Sequence, residues 1–149
     1  MTTGVVDRAA LTTAAWNRLQ TVTDAGLWLG EPDKPLPLIK GTDGRVQRYV
    51  ILWPGGGTPG RELDLADTSI DLEWSLQLTC AGGYIDDVQA LVTCVDAAFY
   101  RWTPQIDGLV CSPLRPPLGY DPGPIRMDRN TNPHRPFLPL QYRTTVTAT

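Results

Sequence analysis

The stretch SIDLEWSLQLTC, residues 69–80, alternates apolar and polar residues without a break. Ile70, Leu72, Trp74, Leu76, Leu78 and Cys80 fall on one side, and Ser69, Asp71, Glu73, Ser75, Gln77 and Thr79 on the other. Successive side chains of a β-strand point to opposite faces, so this pattern predicts a strand with one face buried and one facing outward. At ~3.3 Å per residue it would span roughly 35–40 Å, well beyond the five or six residues of an average strand. A strand that outruns its own core offers surface to another chain, which makes assembly rather than catalysis the first expectation.

The flanks give the buried face its cover. Gly82-Gly83 stops the strand, and Asp86 or Asp87 can cap a helix in which Val88, Leu91, Val92, Val95, Ala98, Phe99 and Trp102 follow helical spacing. Upstream, Arg45 to Trp53 contains VQRYVILW before Pro54, a β-branched and aromatic run that reads as a mostly buried strand. At the N-terminus Val5, Ala9, Trp16, Leu19, Val22 and Leu27 mark an amphipathic helix, with Thr2 or Thr3 as cap and Gly26 or Gly30 with Pro32 as its end. Leu36, Leu38 and Ile39 can form a short extended piece. Beyond Pro104, Leu109–Cys111 reads as a short strand and Phe137–Thr147 as a closing one, with Pro139 restricting its start to an edge or bulge. The expected architecture is a single α+β domain over residues 1–149. It would be a two-layer sandwich of mainly antiparallel sheet, with one helix packed on a face, an N-terminal helix, and long ordered loops at about 54–68 and 112–136.

Composition narrows the function. With 149 residues there is room for one core, and 42% hydrophobic but only 19% charged residues suggest surface reserved for partners. A net charge of -3 and a pI near 5.0 argue against a surface that tracks phosphates. The chain shows neither a basic region followed by an apolar run nor eighteen consecutive apolar residues, so export and membrane spanning are not expected, and folding in the cytosol is. Cys80, Cys94 and Cys111 are odd in number and lack CxxC spacing, which suits small buried hydrophobes better than a disulfide or zinc framework.

Motifs that would carry chemistry are weak. Gly55-Gly56-Gly57 follows a strand, but Thr58-Pro59-Gly60-Arg61 replaces the Gly-Lys-Ser/Thr ending a phosphate loop needs. His134 is the only histidine, and no serine or cysteine sits in a nucleophile motif around it. Asp86-Asp87 suits a helix start, where carboxylates meet unpaired amides, and Asp64 with Asp67 suits a solvated loop. No catalytic group, metal or cofactor is expected. RMDRNTNPHR, residues 126–135, reads equally as a hydrated loop or as a contact arm whose Arg126, Arg129 and Arg135 pair with acidic surfaces.

The order of these features resembles that of the tail terminator proteins of long non-contractile-tailed bacteriophages, especially those of actinobacteria. The resemblance rests on the N-terminal helix, RYVILWPGGGTPG, the alternating strand ending in TCAGGYIDDVQALVTCVDAAF, the DPGPI segment and the C-terminal strand. It implies a subunit of a hexameric ring that caps the head-proximal end of the tail tube, ends tube polymerisation and joins the connector (stopper) protein of the head. Its partners would be copies of itself, the tail tube protein and that connector, in a virion assembled in the host cytoplasm, with DNA passing through unbound and no membrane involved. Ring contacts in such a subunit would draw on Asp71, Glu73 and Gln77 of the polar strand face and on Arg61, Glu62, Asp64, Arg126, Arg129 and Arg135 of the loops. A head-completion or connector adaptor of the same neck would use a similar domain. A small hydrolase or nucleotide-binding enzyme would need a nucleophile with its base, or a true phosphate loop.

Overall fold

The structure is a computed structural model that describes residues 6–23, 25–30, 44–56, 58–59, 71–131 and 134–149. Along the chain run α1 (Arg8–Val22), β1 (Gly26–Leu29), β2 (Tyr49–Pro54), β3 (Thr58–Pro59), β4 (Asp71–Ala81), α2 (Ile85–Phe99), β5 (Leu109–Cys111), β6 (Arg126–Asp128) and β7 (Arg135–Ala148). The fold is α+β. The strands form one mixed sheet in the order β1-β2-β4-β7-β5, with β3 added to β4 and β6 to β7.

The alternating stretch is its spine. Leu72, Trp74, Leu76, Leu78 and Cys80 are all buried, whereas Glu73 and Ser75 are exposed on the opposite face. β4 pairs antiparallel with β7 along its whole length, Asp71 opposite Thr147 through Ala81 opposite Phe137. Two long strands in register place Leu138, Leu140, Tyr142 and Val146 beside the apolar face of β4. Val88, Leu91, Val95 and Phe99 of α2 close over that face in one continuous core. Tyr142 also donates its hydroxyl to Asp96 Oδ1 on α2 at 2.5 Å, fixing helix to sheet through a polar bond at the edge of the core.

Four expectations about the helices change. α1 is capped by Asp7, whose Oδ1 accepts from the amides of Ala9 (3.0 Å) and Ala10 (3.3 Å), so the cap lies further along than Thr2 or Thr3. Its buried stripe is Leu11, Ala15 and Leu19, and Ala9 is exposed. The helix also stops at Val22, short of Leu27, because Thr23 turns to extended backbone and its Oγ1 accepts from Ala25 N–H at 3.1 Å. α2 takes Tyr84 as its N-cap, with no side-chain bond to the helix's first amides, and Asp86 and Asp87 occupy its first turn, where their charge meets the helix dipole. Arg18 ties the helices together: Nε and Nη2 donate to the Ala98 carbonyl at 3.3 and 3.1 Å, and the guanidinium stacks 5.6 Å over Trp102.

The sheet differs too. Gly26–Leu29 is a strand paired parallel to β2, so the sheet is not antiparallel throughout. Leu27 enters the core and Trp28 meets Tyr49 edge-on at 5.7 Å, contacts a continued helix could not make. β2 starts at Tyr49 rather than Arg45. Pro139 sits inside β7, opposite Thr79, where β6 has ended at Phe137 and the Arg115 bridge is not reached until Arg143, so the outer side of β7 is locally an edge. It is tolerated there because the odd-numbered residues of β7 turn their amides away from β4, as Arg143 N–H does toward Arg115 (2.8 Å). Pro139 keeps its carbonyl bonded, to Tyr120 Oη at 2.7 Å. The predicted loop over 112–136 contains β6 and a bridge from Arg115 to Arg143, and the one over 54–68 contains β3. The extended piece expected at Leu36–Ile39 lies outside the described residues.

Gly55 closes β2 onto β4. Its N–H donates to the Ser75 carbonyl at 2.8 Å, and a Cβ placed on it would stand 2.4 Å from that oxygen. Gly55→Ala is therefore expected to cost about 1–3 kcal/mol of stability by forcing the two backbones apart. Chemical denaturation checks this, and an unchanged midpoint would contradict it.

Candidate functional site

β2 is apolar on both faces, and that produces the most site-like surface of the described residues. Val50 and Leu52 face the helices, while Tyr49 and Ile51 face the other way and join Val46 and Ala81 in a second, smaller cluster. Trp28, Trp53 and Phe137 pack around it. This cluster lies on the sheet face opposite the helices, at the end where β4 finishes and β7 begins.

There the sheet forms an open trough of about 660 Å³, lined by Tyr49, Ile51, Thr79, Ala81, Met127, Asp128, Arg129, Asn130, Arg135 and Phe137. The floor is apolar, and one wall, built by the β6–β7 hairpin, is polar and cationic. β6 pairs Arg126 with Phe137 and Asp128 with Arg135, and the wall carries Arg129 and Arg135 together with the Asp128 carboxylate. Asp128 Oδ1 accepts from Asn130 N–H at 3.0 Å and the Asp128 carbonyl from Thr131 Oγ1 at 3.0 Å, so the chain leaving β6 is held by its own bonds.

Arg135 carries the chemical interest. Its Nε is shielded from solvent and has no hydrogen-bond partner. A charged donor in that state carries a desolvation penalty of about 1–3 kcal/mol that an incoming acceptor would relieve. Arg126 and Arg129, both exposed, make no hydrogen bond or ion pair among the described residues. Among the described residues none of these three arginines has an ion pair, although Asp128 shares the wall with Arg129 and Arg135, and in a chain of net charge -3 they form a surface suited to an acidic partner.

Next to the trough, beyond Met127, a shallower hollow of about 320 Å³ is lined by Arg45, Gly83, Tyr84, Ile85, Asp86, Met127 and Pro136. Tyr84 (47%), Ile85 (50%) and Met127 (40%) are exposed there, so apolar surface continues from the trough to the start of α2.

Of the other residues singled out in the sequence, the described ones do not line the trough. Glu73 lies toward the opposite end of β4, in an ion pair with Arg143 at 2.9 Å. Gln77 is occupied within the sheet: its Oε1 accepts from Gln141 Nε2 at 3.3 Å, and its own Nε2 donates to Thr79 Oγ1 at 3.2 Å. The backbone of Asp71 pairs with Thr147, and Arg61, Glu62 and Asp64 lie outside the described residues, as does Asp67. Sequence reasoning located the arginines but missed the trough beside them. Two signals pointed to it: the unbroken apolar run YVILW, and Phe137, which is out of phase with Leu138 and Leu140.

None of the thiols and the histidine lines the trough, and among the described residues they join no cluster that could hold a metal ion. Burial pushes the Cys80 thiol up to about 12 and the Cys111 thiol upward as well, which holds both as protonated packing groups. Cys94 is exposed on α2, and His134 is exposed just before β7. No helix of the described residues is long and apolar enough to cross a membrane. No protein-family model and no curated protein matches this sequence, which leaves the trough and its guanidiniums to carry the functional reading.

Proposed function

We propose that this chain is a structural subunit that works by assembly, forming a ring of the tail-terminator kind at the head-proximal end of a phage tail tube. The observation that carries the reading is the apolar trough walled by Arg129 and Arg135, with Arg126 beside it, an interface-like surface on which Arg135 Nε has no hydrogen-bond partner. Its apolar floor with charged residues at the margin follows the usual anatomy of a protein–protein contact.

In this reading the fold is a two-layer sandwich. α2 on β4 and β7 makes one rigid slab, and the far sheet face and the β6–β7 hairpin are left for neighbours. The ring's partners are further copies of the chain, the tail tube protein below and the head connector above. Its acidic balance keeps the passing DNA from being retained.

Purified protein, alone or with tail tube protein, is expected to form six-membered rings by electron microscopy, and gold-labelled antibody is expected to mark the head-proximal tail end. Labelling at the tail tip, or absence from virions, would sink the reading. Labelling on the head side of the joint, with tube length unaffected by loss of the protein, would favour a connector adaptor instead.

A further inference from the structure

A trough needs an occupant, and the same chain displays a shape that matches it. Leu118 is 93% exposed. A lone exposed leucine needs no explanation, but this one stands on a clamped turn. Pro116 and Pro117 precede it with ring-fixed φ, and Gly119 follows at φ +76°. Tyr120 N–H donates to the Pro117 carbonyl at 2.9 Å and closes the turn, while Tyr120 Oη donates to Pro139 at 2.7 Å and pins it to β7. Asp121 is exposed beside it, with Oδ1 accepting only from Gly123 N–H at 2.8 Å. The turn is thus an apolar tip with a carboxylate three residues on, complementary to an apolar floor with guanidiniums on its wall.

The turn does not fill its own trough. Leu118 borders Glu73, Arg143 and Thr145, whereas the trough floor ends at Phe137. Tyr120 anchors the turn at Pro139, two residues from Phe137, yet the residues around Leu118 and those lining the trough do not overlap. The two surfaces are different patches, which is the requirement for a heterologous, head-to-tail contact between identical chains.

The geometry points to a second copy of this chain as the occupant: the Leu118–Asp121 turn of one subunit docks in the trough of the next. Leu118 rests on Tyr49, Ile51, Ala81 and Phe137, and the Asp121 carboxylate meets Arg129 and the unsatisfied Nε of Arg135. The inference rests on the ring reading above and names its subunit contact. Each contact leaves one turn and one trough free at the ends of the growing assembly, so it propagates until it closes.

Two experiments test it. Leu118→p-benzoylphenylalanine, irradiated in concentrated protein and in ring preparations, is expected to give intermolecular cross-links that map by mass spectrometry to Tyr49, Ile51, Ala81 or Phe137. Cross-links elsewhere, or none, overturn the proposal. Separately, Leu118→Asp and Arg129→Glu/Arg135→Glu are each expected to weaken self-association by about tenfold or more, as loss of a contact anchor does. Circular dichroism and thermal unfolding identify variants that remain folded. Mixed one to one, the two variants retain one intact turn and one intact trough between them, so they are expected to form heterodimers that go no further. Folded variants that associate like the wild type, or a mixture that stays monomeric, overturn it. A cross-link in the trough without rings at the tail end keeps the contact and removes the terminator reading. Rings at the tail end with position 118 cross-linked elsewhere do the reverse.

Discussion

Trp74→Ala is expected to lower the free energy of unfolding by about 3–5 kcal/mol, the usual cost of emptying an aromatic site in a core. Trp74 is fully buried on β4, between the paired strands and the helical layer. Its removal also takes away a hydrogen bond, since Nε1 donates to the Gly55 carbonyl at 3.0 Å. That carbonyl sits beside the close approach of Gly55 to Ser75, so losing the indole loosens the same corner that the missing Cβ allows to close. Trp74→Phe separates the two effects. It keeps most of the ring's packing while removing the N–H, and about 1–2 kcal/mol is expected. Urea denaturation is the measurement, with a lower midpoint at unchanged slope marking a loss of native-state stability. A Trp74→Ala midpoint within about 0.5 kcal/mol of wild type would show that β4 is not the spine of the core.

Trp74 also illustrates what could be read from sequence. Its strand was legible because a period of two over eleven residues has no helical counterpart, and α2 because Val88, Leu91, Val95 and Phe99 keep a helical period beside it. Gly26–Leu29 was not, since Leu27 stands eight residues after Leu19, a spacing an amphipathic helix also produces. Only the distant partner β2 turns that segment into a strand. β6 is three residues long and exists by pairing with Arg135–Phe137, a tertiary cause without a local pattern. Pro139 argued for an edge on sound local grounds, and the sheet meets that constraint by pointing the proline's nitrogen side away from β4.

The candidate site divides in the same way. Its arginines could be picked out by composition, because unpaired cations stand out in an acidic chain. Its floor could not, because Tyr49, Ile51, Ala81 and Phe137 come from three strands and become neighbours only through the β2–β4–β7 register, Tyr49 opposite Ala81 and Ala81 opposite Phe137. Glu73 and Gln77 satisfied a sequence criterion, polar residues on the free strand face, yet both are occupied by neighbours in the sheet. A polar face marks where contacts can occur, and unmet hydrogen-bonding capacity, as at Arg135, marks where they are needed.

Alkaline pH is expected to unfold this protein through two buried groups in its core. Burial pushes Cys80 from its ordinary value of 9.0 to about 12. Tyr142 is raised well above 10.0 by burial first, then by its hydrogen bond to Asp96 and by the charge of Asp96 and neighbouring Cys80 and Tyr120. For each group the folded state holds a proton that the unfolded chain gives up. The unfolded state therefore binds fewer protons, and stability falls as pH rises. The full contribution is present below pH 9. Cys80 alone removes about 1.4 kcal/mol per pH unit from 9 toward 12, about 4 kcal/mol in all. Tyr142 steepens the loss above pH 10, and Tyr142→Phe is expected to remove that second phase while losing the Asp96 bond at every pH. Cys80→Ala is expected to sit slightly below wild type at neutral pH and to cross above it on the alkaline side. Urea midpoints taken from pH 7 to 11 supply the test. Parallel curves for wild type and Cys80→Ala would mean that the thiol ionises as readily in the fold as in the free chain, and that the face of β4 beneath α2 admits water.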